Sequence, residues 1–534
     1  MTRDLDALTA RPFDLLVVGG GIHGLMAAYD GATRGLRVAL IERHDFGGAA
    51  SFHHHRTLHG GLRYLQTGNL PRLRQSVRER RTWASIAPQF IEPQAFAMAA
   101  GYGAKPESLL RAGFATDALL AFDRNWGLPP ALRLPPARLV GAYARDDLDT
   151  GDLLRPGSIG LWYDYRTAHA ERLTLAVAIA ASHAGAVLGN YLDAIEPIRE
   201  GRRIAGFIAR DAVDGIRVAV RAKVTINAAG AGAGRVMAAF GLRKAPLLVK
   251  AMNVVTRRPA PAIACGAPTR RRRLLFALPW QGRLAIGTWH GSTPCGADAV
   301  RVAPEDFESY LAEINEAFPT LHLAMEDITL VQRGVVPARR TVRGVTLAEH
   351  AIVREHRQDG VDGALSVIGV KYTTARAVAE RAVTLAMAQL RVHSVSRTAT
   401  RHLPGQVPDA LHSPVDAIDT EAWRHLQRLY GTAAMRVADY ARDDPSLAKR
   451  IVEHHPVIGA QVVHAVREEM ALTLDDVILR RTGIGSAGYP GDEAVWAVER
   501  IMRQELGWSS TRAVDEVQSL QEFYLPVKVQ TAVV

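Results

Sequence analysis

Three glycines and one acid are spaced for holding a dinucleotide. Gly19, Gly21 and Gly24 form G-x-G-x-x-G, and Glu42 follows them. In such a set the first glycine permits a tight turn, the second lets backbone approach a pyrophosphate, and the third lets a helix pack closely on a strand. The acid takes the ribose hydroxyls. A second group of reactive side chains comes next. "HDFGGAASFHHHRTLHGGLRYL", residues 44–65, holds His53, His54, His55 and His59, with Arg56 and Arg63. Adjacent imidazoles diverge in any regular conformation, and in a strand only His53 and His55 share a face. Metal ligands come from helical i,i+4 spacing or from several segments. No acid or thiol stands at such spacing here, so no metal site is expected. Lining a pocket and moving a proton remain as roles for this stretch.

These residues need elements to hold them. "FDLLVVGGGIHGLMAAYDGATRGLRVALIER" reads as strand, glycine turn, helix and strand, with Glu42 ending the second strand. Its first strand is a short apolar run, as in a buried parallel sheet. The helix N-terminus offers free N–H groups to phosphates. "RAKVTINAAGAGAGRV" (221–236) is a second strand that runs into glycines, Gly230 first among them. Two glycine-ended strands so far apart favour FAD over NAD.

The 534 residues exceed one ordinary core, and two or three domains are expected. Cys265 and Cys295 give no disulfide framework, so a reducing cytoplasm is expected. No apolar run approaches a bilayer span, and no secretory leader is evident. The net charge of +11 suits an anionic ligand or an anionic membrane surface. The arginines are scattered and no nucleic-acid module is present, so no nucleic-acid partner is expected.

The chain resembles the FAD-dependent glycerol-3-phosphate dehydrogenase family, within the D-amino-acid-oxidase-like flavoproteins. The resemblance is carried by "LHGGLRYL" (58–65), "LLFALPWQGRLAIGTW" (274–289), "LSVIGVKYTTARAVAE" (365–380) and "EMALTLDDVILRRTGIG" (469–485). It implies an α/β (α+β overall) fold: a two-dinucleotide-type Rossmann-like FAD domain, an inserted antiparallel substrate sheet and a C-terminal helical domain. The oxidoreductase region would span 1–400, with FAD-binding pieces at about 12–100, 155–240 and 345–400. Substrate pieces would lie at about 101–154 and 241–344. Residues 403–414 read as a linker, and 405–534 as the helical domain.

The resemblance also implies roles. Lys371, in "GVKYTTAR", would lie beside the flavin and the substrate oxygen. Gly369, Thr373 and Thr374 would bring backbone N–H groups to the ring, while Arg43, Ser51, His53, Gly60 and Gly61 would line the cofactor. Arg56 takes a family lysine position near the ring. Lys250 matches a lysine of the substrate sheet, but Asn253 replaces the histidine that follows it in the family. His59 and His290 are then the candidate bases. Val336 stands where the family has a phosphate-binding arginine, and a second such arginine is replaced near Glu349. Arg333, Arg339, Arg340 and Arg343 are candidates to compensate. His53 lies where related amine dehydrogenases bond FAD covalently, an alternative to plain pocket lining.

The expected activity is hydride transfer to FAD from a small polar secondary alcohol, glycerol 3-phosphate first. Electrons would leave to a membrane quinone or to oxygen, with the protein peripheral on the inner face of the membrane. The alternatives are another hydroxy acid, a polyol or a secondary amine on the same scaffold, or a catalytically silent flavin-binding protein. Oligomeric state is not readable from the sequence.

Overall fold

The structure is a computed structural model that describes residues 1–100, 106–145, 147–271, 273–342, 344–405 and 415–524. Two sheets organise it. The first has the strand order Ile352–Glu355, Ala364–Ile368, Arg217–Asn227, Phe13–Val18, Val38–Ile41, Val187–Gly189. Phe13–Val18 is central and runs parallel to both neighbours, with Leu15 opposite Val38 and Val18 opposite Asn227. Both glycine turns therefore leave the sheet side by side. The central stretches of these strands, such as Leu15–Val18 and Val38–Ile41, are apolar because helices cover them. Ile22–Thr33 packs against Ala170–His183 and Ala375–Leu390, and Leu15, Val17, Leu25, Met26 and Val38 are sealed from solvent between them. Each fully buried aliphatic chain of this kind contributes about 1.5–3 kcal/mol. The antiparallel pair Leu192–Glu200 and Arg203–Asp211 extends the edge of Arg217–Asn227.

The second sheet has ten strands. Its order is Gly344–Leu347, Ile328–Thr341, Leu248–Pro259, Arg283–His290, Leu274–Trp280, Ala264–Pro268, Ile91–Ala99, Ile159–Thr167 and Thr57–Leu58, with Arg138–Val140 beside Ile159–Thr167. Alternation in "VKAMNVV" turns Met252 and Val254 into a core with Trp289, Phe307, Tyr310 and Ile314. The last three come from the helix Pro304–Ala317. The expected substrate sheet is present, but its membership is wider than the expected pieces. Thr57–Leu58, Ile91–Ala99 and Ile159–Thr167 were assigned to FAD-binding pieces and belong to this sheet. The physical reason is that antiparallel pairing recruits strands from distant sequence, and a short apolar run does not reveal its partner.

Beyond residue 415 the chain is mainly helical, with helices Thr420–Tyr430, Ala434–Asp443, Gly459–Glu469, Asp492–Leu506 and Ser510–Tyr524. A small hairpin, Arg450–Val452 with His455–Ile458, interrupts them. Most of the expected linker, 406–414, lies outside the described residues. This region is locked to the loop that follows Glu42. Arg481 makes two bonds to Asp45, at 2.5 and 2.7 Å, and Arg480 adds a third at 2.6 Å. Burial works to raise the Asp45 carboxyl, but the two arginines outweigh it and hold it at about 2.

Candidate active site

The cofactor end is built from backbone. A Cβ on Gly24 would stand 1.8 Å from the Gly19 carbonyl oxygen, and one on Gly19 would stand 2.6 Å from the Ala228 oxygen. The spacing of the three glycines is thus a contact requirement between turn, helix and the second glycine strand. Gly21 caps the helix Ile22–Thr33, and Ser51 Oγ accepts from the Ile22 amide at 2.9 Å. Glu42 accepts from the Gly20 amide at 2.5 Å and the His44 amide at 2.9 Å, so it also pins the glycine turn to the strand end. Arg43 is half-exposed, 3.7 Å from Asp298. Gly230 has φ 56 and opens a turn that Asn227 braces, donating to the Ala233 carbonyl at 2.9 Å.

The histidine run crosses from this cradle to the second sheet. The His53 carbonyl accepts from Asn253 Nδ2 at 2.9 Å, and the His53 ring meets Phe52 edge to face. The His54 ring lies 4.5 Å from that of Tyr372. His55 packs over Gly287, where a Cβ would meet its ring at 2.8 Å. Burial, helped by nearby arginines and histidines, pushes His53 and His55 down to about 3 and His54 well below its usual value. All three are neutral at pH 7. His23 lies against Gly369, and burial pushes it to about 4. One ring nitrogen on each of these four histidines is buried without a hydrogen-bond partner. Glycine cradle, paired strand ends and unsatisfied imidazole nitrogens fit a large polar ligand such as FAD, with the cradle on its phosphates.

Arg56, the cation expected beside the ring, is buried behind the histidine run. Only 1% of it is exposed, and it is paired with Glu171 at 2.6 Å and stacked on Trp280 at 4.4 Å. Its backbone is left-handed, φ 44, and its guanidinium lies near enough to the three histidines to disfavour their protonation. Its charge is already matched there.

Lys371 reaches the Tyr64 hydroxyl, with its Nζ 4.3 Å from the ring centre. Thr373 accepts from Trp83 Nε1 at 3.0 Å, and Thr374 starts the helix Ala375–Leu390. His59 Nδ1 stands 3.9 Å from Asp164. Asp164 also takes the Gly60 amide at 2.5 Å and pairs with Arg80. Burial acts to raise the Asp164 carboxyl, but Arg80, His59 and the Gly60 amide hold it below the ordinary carboxylate range. Gly61, at φ 94, caps the short turn that carries Tyr64.

Of the other expected substrate residues, Lys250 and Arg333 line one pocket with Asp306, and His290 stands opposite Ala251 on the neighbouring strand, whereas Arg339 and Arg340 lie further along Ile328–Thr341. Lys250 faces Asp306 at 3.5 Å, and the half-buried ring of His290 turns to the Gly291 carbonyl at 3.3 Å. Arg333 lies over Phe523 at 5.5 Å. Arg339 pairs with Glu349 at 2.5 Å, Arg340 is exposed, and Arg343 lies outside the described residues. The sequence marked Asn253 only as the replacement for a family histidine and did not single out Tyr64 or Asp164. Tyr64 stands inside the motif "LHGGLRYL", whereas Asp164 has no local signal.

This fold and cradle define a dinucleotide-binding flavoprotein. Residues 14–385 match the FAD dependent oxidoreductase family, and 373–513 match the C-terminal domain of alpha-glycerophosphate oxidase. A glycerol-3-phosphate dehydrogenase of Synechocystis sp. is 29% identical over 98% of both chains. Glycerol-3-phosphate dehydrogenase 1 of Mycobacterium tuberculosis is 32% identical over 90% of this chain and 93% of its own. The chain belongs to the FAD dependent oxidoreductase family and, within it, to the glycerol-3-phosphate dehydrogenases. The FAD-complexed glycerol-3-phosphate dehydrogenase of Bacillus halodurans superposes with a TM-score of 0.73 at 23% identity, covering 98% of this chain and 96% of that one.

Proposed function

We propose that the protein is an FAD-dependent dehydrogenase that oxidises glycerol 3-phosphate to dihydroxyacetone phosphate. The end-to-end match to relatives named for that activity carries the reading. FAD, when bound, accepts the hydride of the carbinol carbon. The chain supplies the rest. The Lys371 ammonium steadies the developing alkoxide. His59, backed by Asp164 on its Nδ1 side, takes the hydroxyl proton at Nε2. His53, His54 and His55, neutral at pH 7, form a wall that adds no charge beside the ring, and His53 serves there without a covalent bond to it. Ser51 and the cradle glycines hold the phosphates.

Electrons leave to a quinone or to oxygen. Among the described residues no helix is long and apolar enough to cross a membrane. Attraction of a +11 chain to an anionic surface is the proposed route to a quinone. Val336 and Glu349 favour a second reading, another small alcohol or a secondary amine on the same site, because neither can bind a phosphate.

The experiment is anaerobic mixing of the holoprotein with glycerol 3-phosphate. Bleaching of the flavin with one dihydroxyacetone phosphate per FAD is expected, and acid should then release the FAD from the chain. A flavin bleached only by another alcohol or an amine would replace the first reading with the second.

A further inference from the structure

Five arginines lie on the helix Leu70–Ile86. Arg74 and Arg81 pair with Asp123, at 2.7 and 2.9 Å. Arg80 pairs with Asp164, and Arg78 faces solvent. Arg72 shares none of these arrangements. Only 7% of it is exposed, and its Nη1 is buried without a hydrogen-bond partner. A buried donor left unsatisfied costs roughly 1–3 kcal/mol, and more when charged. Burial works against its charge as well. Such a guanidinium is stabilised by an anion that brings its own acceptors.

The surroundings say where that anion would sit. The guanidinium carbon of Arg72 lies 4.6 Å from the centre of the Tyr64 ring. The hydroxyl of the same ring holds Lys371. Arg72 is therefore one phenol ring away from the lysine proposed at the reacting oxygen. Glu349 and Arg339, paired with each other, are the charges that act on Arg72. Lys371, Arg72 and Arg339 against Glu349 leave three positive charges less one negative, a net +2. A phosphate monoester carries about −1.5 to −2 at neutral pH. The positive end of the helix, which Arg72 enters in its first turn, adds to the attraction.

We infer that Arg72 binds the phosphate of the substrate, with Arg339 at the rim, and so turns the carbinol toward Lys371. The inference rests on the function proposed above. It names a residue outside the set singled out by sequence, and it leaves Arg333 and Arg340 without a part in phosphate binding.

The test uses holoprotein, anaerobic flavin reduction, and inorganic phosphate as competitor. Arg72→Met should raise the glycerol 3-phosphate concentration for half-maximal reduction roughly 10–100-fold, the loss of charged hydrogen bonds worth about 1.5–3 kcal/mol. The limiting rate should change little, because substrate and transition state hold the phosphate alike. Inorganic phosphate should compete with substrate in the native protein and lose that effect in Arg72→Met. Arg72→Lys, which keeps the charge and loses the fork, should fall between. Arg78→Met removes the same charge from the exposed face of the same helix and should leave half-saturation unchanged. FAD content and circular dichroism report folding, and Arg72→Lys alone decides the matter if Arg72→Met does not fold. Unchanged half-saturation and unchanged phosphate competition in a folded Arg72 variant would overturn the inference. If glycerol 3-phosphate fails to bleach the native flavin, the function proposed above falls. Inorganic phosphate then still decides on Arg72. A spectral shift of native flavin that Arg72→Met lacks supports the subsite, and no shift in the native protein overturns it.

Discussion

The two ends of the site are made from different material. The cradle end uses main chain: Gly19, Gly21 and Gly24 bring amides and a helix N-terminus together, and the one acid, Glu42, is bonded to backbone. The other end uses charged side chains around one phenol ring: Lys371, Arg72, and behind them Arg339 with Glu349. Main-chain sites depend on contact distances, so one added carbon breaks them. Side-chain sites depend on which charges remain unmatched, so they can be rebuilt at other positions.

The largest effect should come from the cradle. Gly24→Ala places a carbon where the Gly19 oxygen already is, so strand and helix must part. The purified variant should carry no flavin and melt well below the native protein. Full FAD occupancy in that variant would break the contrast, because the cradle would then tolerate what its geometry forbids.

The opposite end should respond by degree. Lys371→Met should slow flavin reduction by substrate roughly 100-fold, as expected for one preorganised charge at a developing oxyanion, while FAD content stays at one per chain. Rapid-mixing spectroscopy separates the rate from binding. A variant that reduces flavin at the native rate would remove Lys371 from the chemistry.

The smallest effect is a slope with pH. His23, His53 and His55 have folded values of about 4, 3 and 3, below the ordinary histidine value near 6.5. Below pH 6.5 the unfolded chain takes protons that the folded chain refuses. Their contribution is thus present above pH 6.5 and is lost as pH falls toward 4 and then 3. Each can remove up to about 1.4 kcal/mol per pH unit across that window. Melting of His53→Gln should fall less steeply from pH 7 to pH 5 than melting of the native protein. Equal slopes would mean that His53 titrates alike in the folded and unfolded chain.

The contrast also explains what could be read before the fold was known. Gly19, Gly21, Gly24, Gly230 and Glu42 were legible because backbone geometry fixes residue type at fixed spacing. The helical C-terminal region and the antiparallel sheet followed from the family resemblance of the motifs. Arg72 was not. "PRLRQSVRERR" shows five arginines of equal standing, and only the fold matches Arg74 and Arg81 with Asp123 and leaves Arg72 over Tyr64. The ion pair of Arg56 was hidden for the same reason, because its partner, Glu171, lies far along the chain. Strand membership across the two sheets also depended on distant partners that local sequence does not name.

One feature of the fold bears on how the protein matures. Asp45 lies just past Glu42, inside the loop that leads from the strand Val38–Ile41 to Ser51, and its carboxylate is held by Arg480 and Arg481. A ribosome releases residue 45 long before residue 481. Until the later segment arrives, Asp45 is a buried-type carboxylate without its cations, and the loop beside the cradle keeps its backbone bonds to Gly20 and Tyr191 without the arginine clamp. Retention of the cofactor then becomes a late event of synthesis, reached only after the helical region has docked. A stalled or truncated chain would stay colourless, and yellow colour would report a chain that has been finished.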